Sequence, residues 1–144
     1  MDSIIAYNSP INDEYQVFVV YSNSEEYQSI KMALQSMNDS IGALWIGTKN
    51  IFIDGERLID ENIDADQLLA IEAHEIAHSM LGHGAGVNEE SEKEADLFGI
   101  ALLELHGYKR AASFLKDRMK VLYGIDYAEF EEEWNESDVE EDEI

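Results

Sequence analysis

Residues 65–81 read ADQLLAIEAHEIAHSML, and the fold is best approached from this stretch. It contains neither glycine nor proline and reads as one helix. Asp64 before it, with Gln67 three residues on, resembles a capping box, and Gly82 stands where a glycine ends a helix. Gly82, Gly84 and Gly86 make a turn-rich loop. Asn88 can cap a second helix, Glu89 to His106, with Ala95, Phe98, Leu102 and Leu105 on one face and Gly107 past its end. Tyr108 to Tyr123 reads as a third helix, amphipathic and basic, closed by Gly124.

Working outward, Tyr15 to Tyr21 (YQVFVVY) is β-branched and aromatic, and is expected to be a strand. Ser24 to Met37 has helical spacing of its apolar residues, with Ser24 as the expected cap. Two short apolar runs, Ala43 to Ile46 and Ile51 to Ile53, flank Gly47-Thr48-Lys49-Asn50 and predict a hairpin. A polar loop is expected through Gly55 and Asp60. The fold class is therefore α+β. We expect a small, mostly antiparallel sheet of about three strands, helices packed on one side, and a cleft between the sheet and the first of the three helices.

A chain of 144 residues suits one domain, with 45% apolar residues to fill a core. The expected division is a folded domain over 1–125 and an acidic tail over 126–144, partly helical or disordered. The net charge is −23. From Asp126 onward there is no Lys or Arg, whereas Lys109, Arg110, Lys116, Arg118 and Lys120 cluster just before it. Such a charge argues against unaided nucleic-acid binding and favours basic partners. No apolar run reaches the roughly 20 residues of a membrane span. With no secretory signal either, a soluble cytoplasmic protein is expected. The absence of cysteine removes thiolate catalysis and Cys-type zinc sites. The tail has three readings. It is a solvating end, or it docks Tyr127, Phe130 and Trp134 on the third helix, or it recruits a basic substrate or inhibits the site.

The chemistry sits in His74-Glu75-Ile76-Ala77-His78. Histidines four apart share a helix face with Cβ atoms about 5–6 Å apart, so both can reach one metal ion at about 2.0–2.1 Å. Glu75 is rotated by roughly 100° from His74, off the ligand line. It is a candidate general base beside a zinc-activated water. A hydrolytic zinc needs a third protein ligand. Glu92 is the leading candidate, with Glu89, Glu90 and Glu94 as others. Asp96, four residues past Glu92, can accept the N–H of a ligating histidine and fix its tautomer. Glu94 is expected to point away into solvent.

The pair HEIAH and EKEAD resembles the gluzincin zinc metallopeptidases. In those, the HExxH helix supplies two ligands and the base, and a later helix supplies a glutamate ligand. The Glu-x-x-x-Asp form is similar to M48-type peptidases and the compact minigluzincins. The chain also resembles the ImmA/IrrE-type peptidases of bacteria and phages, which often carry Asn where this sequence has Asp96. The resemblance covers roughly residues 64–103. It implies a zincin-like domain that binds Zn2+ through His74, His78 and Glu92, with Glu75 as catalytic base and Asp96 supporting a ligand histidine. The metzincin pattern fails, because it needs Gly and His where Leu81 and Gly84 stand.

The expected function is zinc-dependent endopeptidase hydrolysis of a protein or peptide, a basic one being a candidate. The alternative is a zinc-containing acidic regulatory or phage-type binding module without catalysis. His83 and Tyr108 are candidates to stabilise the oxyanion, while His106 suits a helix C-terminus. An edge strand, at Trp45 to Thr48 or Asn50 to Ile53, is the candidate surface for substrate, with plain core sheet as the simpler reading.

Overall fold

The computed structural model describes residues 3–37, 39–84 and 88–127. The elements run β1 (Ile4–Asn8), β2 (Gln16–Val20), α1 (Tyr27–Ser36), β3 (Gly42–Leu44), β4 (Asn50–Asp54), α2 (Gly55–Asp60), α3 (Ala65–Met80), α4 (Glu89–Leu105) and α5 (Lys109–Tyr123). The class is α+β: a mixed four-stranded sheet followed by three packed helices.

Strand order is β1-β2-β4-β3. The outer pairs are antiparallel, but β2 and β4 are parallel, with Val17 opposite Ile51 and Val19 opposite Ile53. The sheet thus differs from the expected three mostly antiparallel strands in two ways. The added strand, β1, is an edge with Ile5 and Ala6 exposed, so no buried alternation marks it. The parallel pairing follows from α1, which gives the chain the crossover length to re-enter the sheet in the direction of β2. The alternation of β2 and β4 is plain in burial. Val17, Val19, Ile51 and Ile53 face the helices, while Phe18 and Phe52 stack on the opposite side at 5.2 Å. The hairpin between β3 and β4 forms as expected, with Gly47 at φ +79° in its turn. Because β4 lies between β2 and β3, Asn50 to Ile53 is interior sheet rather than an edge. The edge nearest the helices is β3, and Trp45 to Thr48 form the turn beyond it.

Two upstream expectations change. α1 begins at Tyr27, not after Ser24. The Ser24 hydroxyl oxygen accepts the N–H of Glu26 and its O–H donates to the Glu26 carboxylate, so it closes a local turn before the helix. The loop through Gly55 and Asp60 contains α2. Its cap is Asp54, buried at the end of β4, which accepts the N–H groups of Glu56 and Arg57 and the hydroxyl of Tyr27.

The three later helices follow their punctuation. Asp64 accepts the Gln67 N–H and the Gln67 side chain accepts the Asp64 N–H, the reciprocal box at the start of α3. Asn88 accepts from Glu90 and Ser91 at the start of α4. Gly124 ends α5 at φ +67°. α3 packs along α4 and α5 and touches β3. The core joins Val17, Val19, Ile51 and Ile53 to Ile76, Ile100, Leu103, Leu115 and Met119. Truncating a wholly buried member such as Ile76 to Ala should cost about 2–5 kcal/mol. Gly99 lies where α4 meets both α5 and α3. A Cβ there would stand 2.9 Å from Leu115 Cδ1 and 3.4 Å from the backbone of Ala73 and His74. No helix among the described residues is long and apolar enough to cross a membrane.

Candidate metal centre

α3 brings His74 and His78 to one face, with ring centroids 4.6 Å apart and Nε2 atoms 3.1 Å apart. α4 lies against that face and delivers Glu92 from its first turn. Glu92 Oε2 is 2.9 Å from His74 Nε2, and Oε1 is 3.2 Å from His78 Nε2. Two imidazoles and a carboxylate are a donor set that zinc accepts. Ligands about 2.0–2.1 Å from a tetrahedral ion stand roughly 3.3 Å from one another, close to these separations. The three residues can hold a metal ion. Of the other acids considered, Glu89 lies near Lys93 and Glu94 near His83, so Glu92 is the one that meets both histidines.

His74 is buried and its Nδ1 lies 2.7 Å from Oδ1 of Asp96, which is wholly buried. Burial works against a charged His74 ring. Hydrogen bonds to Asp96 and Glu92 outweigh it and raise its pKa from 6.5 to about 9 in the metal-free protein. Burial likewise resists the charged form of Glu92, but the hydrogen bonds to His74 and His78 prevail and hold its carboxyl well below the usual range. Glu75, one residue past His74, has its pKa raised by burial. Its Oε2 accepts the N–H of Leu44, 2.9 Å away, at the end of β3. The edge strand and the metal-facing helix are therefore joined through Glu75.

A cavity of about 270 Å³ opens beside these groups. His74, Glu75, Glu92 and Arg118 provide its polar side, and Gly42, Ile71 and Phe114 part of its apolar side. The sheet borders it only at Gly42 of β3; α3, α4 and α5 supply most of its wall, whereas the sequence led us to expect a cleft between sheet and helix alone.

Arg118 and Glu72 were given no site role from the sequence, and His83 and Glu94 find partners that were not expected of them. Arg118 of α5 places its guanidinium 3.4 Å from Asp96 Oδ2 and 3.6 Å from Glu92 Oε2. The signal was present as a basic cluster in a very acidic chain, but which cation would reach the site depends on how α5 packs. His83 meets two partners rather than standing as a free loop residue. Its Nδ1 is 2.9 Å from His78 Nδ1, and its Nε2 is 3.1 Å from Glu94. Glu94 is exposed as expected, yet it meets His83 rather than solvent alone. On the far side of α3, Glu72 is buried and accepts the hydroxyl of Tyr7 at 2.8 Å.

Tyr108 precedes α5 and packs on the core, and His106 ends α4 exposed to solvent. In the expected tail, Tyr127 packs on the core with Lys116 4.8 Å over its ring, whereas Phe130 and Trp134 lie outside the described residues. A scan against protein-family models, a search of the curated proteins and a search of the solved structures find no match to this chain.

Proposed function

We propose that this chain is a zinc-dependent endopeptidase of gluzincin type, with His74, His78 and Glu92 as the metal ligands and Glu75 as the general base. The observation that carries the reading is the convergence of those three side chains, with His74 and Glu92 lining a cleft and the Glu75 carboxylate, in the same cleft, tied to an edge strand. A bound zinc would supply Lewis acidity, lowering the pKa of a water molecule and polarising the scissile carbonyl.

The remaining steps belong to the protein. Asp96 accepts the N–H from Nδ1 of His74, which leaves Nε2 with a lone pair for the ligand position. Arg118 balances the charge of Asp96 and Glu92. Glu75 takes a proton from the attacking water as its oxygen bonds to the carbonyl carbon. It passes that proton to the amine nitrogen as the C–N bond breaks. Glu75 is placed both to take and to return that proton, and in the metal-free protein burial already disfavours its charged form. The outer edge of β3 offers a place for an extended substrate backbone, with Leu44 beside Glu75.

The test compares the wild type with Glu75→Gln, each loaded with zinc, on a mixture of unfolded proteins. New N-termini are counted by mass spectrometry. The wild type should cut, and the variant should keep its zinc while losing activity by about 10²–10⁴-fold. Equal cutting by both would remove Glu75 from the mechanism. The net charge of −23 favours a second reading, a zinc-containing module that sequesters a basic partner. On that reading the biological effect survives Glu75→Gln.

A further inference from the structure

The metal-ligand reading leaves one cluster unused, and it adjoins the second ligand histidine. α3 ends in a Schellman turn. Gly82, at φ +71°, donates its N–H to the Ser79 carbonyl, and the N–H of His83 reaches back to the carbonyl of His78. That turn sets the His83 ring edge-on to the His78 ring, with centroids 5.1 Å apart at an angle of 67°. The two Nδ1 atoms then face each other at 2.9 Å, and the other nitrogen of His83 lies 3.1 Å from the Glu94 carboxylate.

We propose that His83 and Glu94 form a relay that positions His78 as a metal ligand, by fixing which of its ring nitrogens carries the proton. A carboxylate accepts, so the His83 nitrogen that faces Glu94, Nε2, is the one that carries the N–H. The Nδ1 of His83 is then a bare acceptor. The facing Nδ1 of His78 is then the donor, which leaves Nε2, the nitrogen that faces Glu92 and His74, as the one open to a metal ion in the loaded protein. The two ligand histidines are thus set by the same logic through different partners. His74 uses the buried carboxylate of Asp96 directly. His78 uses a partly buried imidazole backed by the exposed Glu94. His83 is a positioning residue; it touches neither the metal position nor the substrate.

This inference rests on the proposed metal site, and the experiment separates the two. Zinc alone is titrated into the full chain against a chromophoric chelator. The ring nitrogens of the zinc-loaded protein are then assigned by long-range 1H–15N NMR. Expected are a proton on His78 Nδ1 and on His83 Nε2, and zinc binding weakened by about 10–100-fold in His83→Ala. His83→Gln should recover most of that loss, because its carbonyl can accept from His78 and its amide can donate to Glu94. Glu94→Ala, at an exposed helix position, breaks the relay from its far end. It should weaken zinc binding in the same direction with the metal-free melting temperature unchanged. If the wild type takes up zinc and His83→Ala binds it within twofold, or if His78 Nδ1 is unprotonated in the loaded protein, this inference fails and the metal site stands. If the wild type takes up no zinc, the metal site fails and the relay with it.

Discussion

Replacing Asp96 by Asn changes one buried atom and should change the pH dependence of zinc binding more than its strength at neutrality. Asp96 is wholly buried and its Oδ1 lies 2.7 Å from His74 Nδ1. In the metal-free protein His74 titrates at about 9, so at pH 7 only about 1% of the rings are neutral and able to bind. Proton competition therefore lowers the apparent zinc affinity about 100-fold at pH 7, and the affinity should climb roughly tenfold per pH unit until about pH 9. Asn keeps an acceptor for the ring N–H but removes the charge. The His74 pKa then falls back toward its ordinary value, and most of the competition at pH 7 disappears. The neutral ligand also loses its carboxylate support, which in metal sites is worth about 10–100-fold in affinity. At pH 7 the two effects oppose each other, and the variant should lie within about tenfold of the wild type. At pH 9 only the loss remains, and the variant should bind about 10–100-fold more weakly. The assay is competition with a chromophoric chelator in zinc-buffered solutions from pH 6.5 to 9. Two parallel curves, or equal affinities at pH 9, would refute the assigned role of Asp96.

The other predictions concern stability and packing. The raised His74 pKa contributes stability that is complete below pH 6.5 and is lost as pH rises through about 9. The lowered pKa of Glu92 contributes stability present above about 4.5 and lost as pH falls. Glu75, raised by burial, contributes stability that is complete below about pH 4.5 and is lost as pH rises through its folded pKa. Metal-free protein should therefore melt highest between about pH 4.5 and 6.5; a melting temperature that rises from pH 6.5 to 9 would contradict the pairing. Gly99→Val would press on Leu115 of α5, 2.9 Å from the added Cβ, and with its branches on the backbone of Ala73 and His74, costing about 1–3 kcal/mol. Because Glu92 and Asp96 ride on α4, zinc affinity should fall with it, and a variant unchanged in both thermal melt and zinc titration would show that the close approach is not needed. Gly82→Ala meets no neighbouring atom but must hold a positive φ, so it should lower stability by about 1 kcal/mol in a urea melt. No loss would mean that the turn relaxes freely.

What could be read beforehand was local in the chain. The His74–His78 spacing, the Asp64–Gln67 box, the Asn88 cap and the glycine stops each depend on residues within one or two helical turns. Structure and sequence agree on them to within a residue or two. Glu92 and Asp96 were legible for the same reason, once the loop was taken to lay α4 beside α3. The groups that were missed depend on packing between distant segments. β1 has little burial pattern because it is an edge, and the parallel β2–β4 pair depends on where α1 returns the chain. Arg118 reaches Asp96 only because α5 folds back along α4. His83 was seen as lying past a helix stop, but the consequence of that stop, an N–H bond back to the His78 carbonyl and a ring against His78, is three-dimensional.

The central claim is that His74, His78 and Glu92 form one metal site, and the most direct measurement is zinc stoichiometry with its linked stabilisation. Chelator-stripped protein is dialysed against buffered zinc, analysed for metal, and melted with and without the ion. The account predicts one zinc per chain. At free zinc about 100 times the dissociation constant, it predicts a gain of about 2.7 kcal/mol, or roughly 10 °C in Tm for a chain of this size, with both effects lost in His78→Ala. A wild-type protein that retains no zinc and melts at the same temperature with or without it would contradict the account.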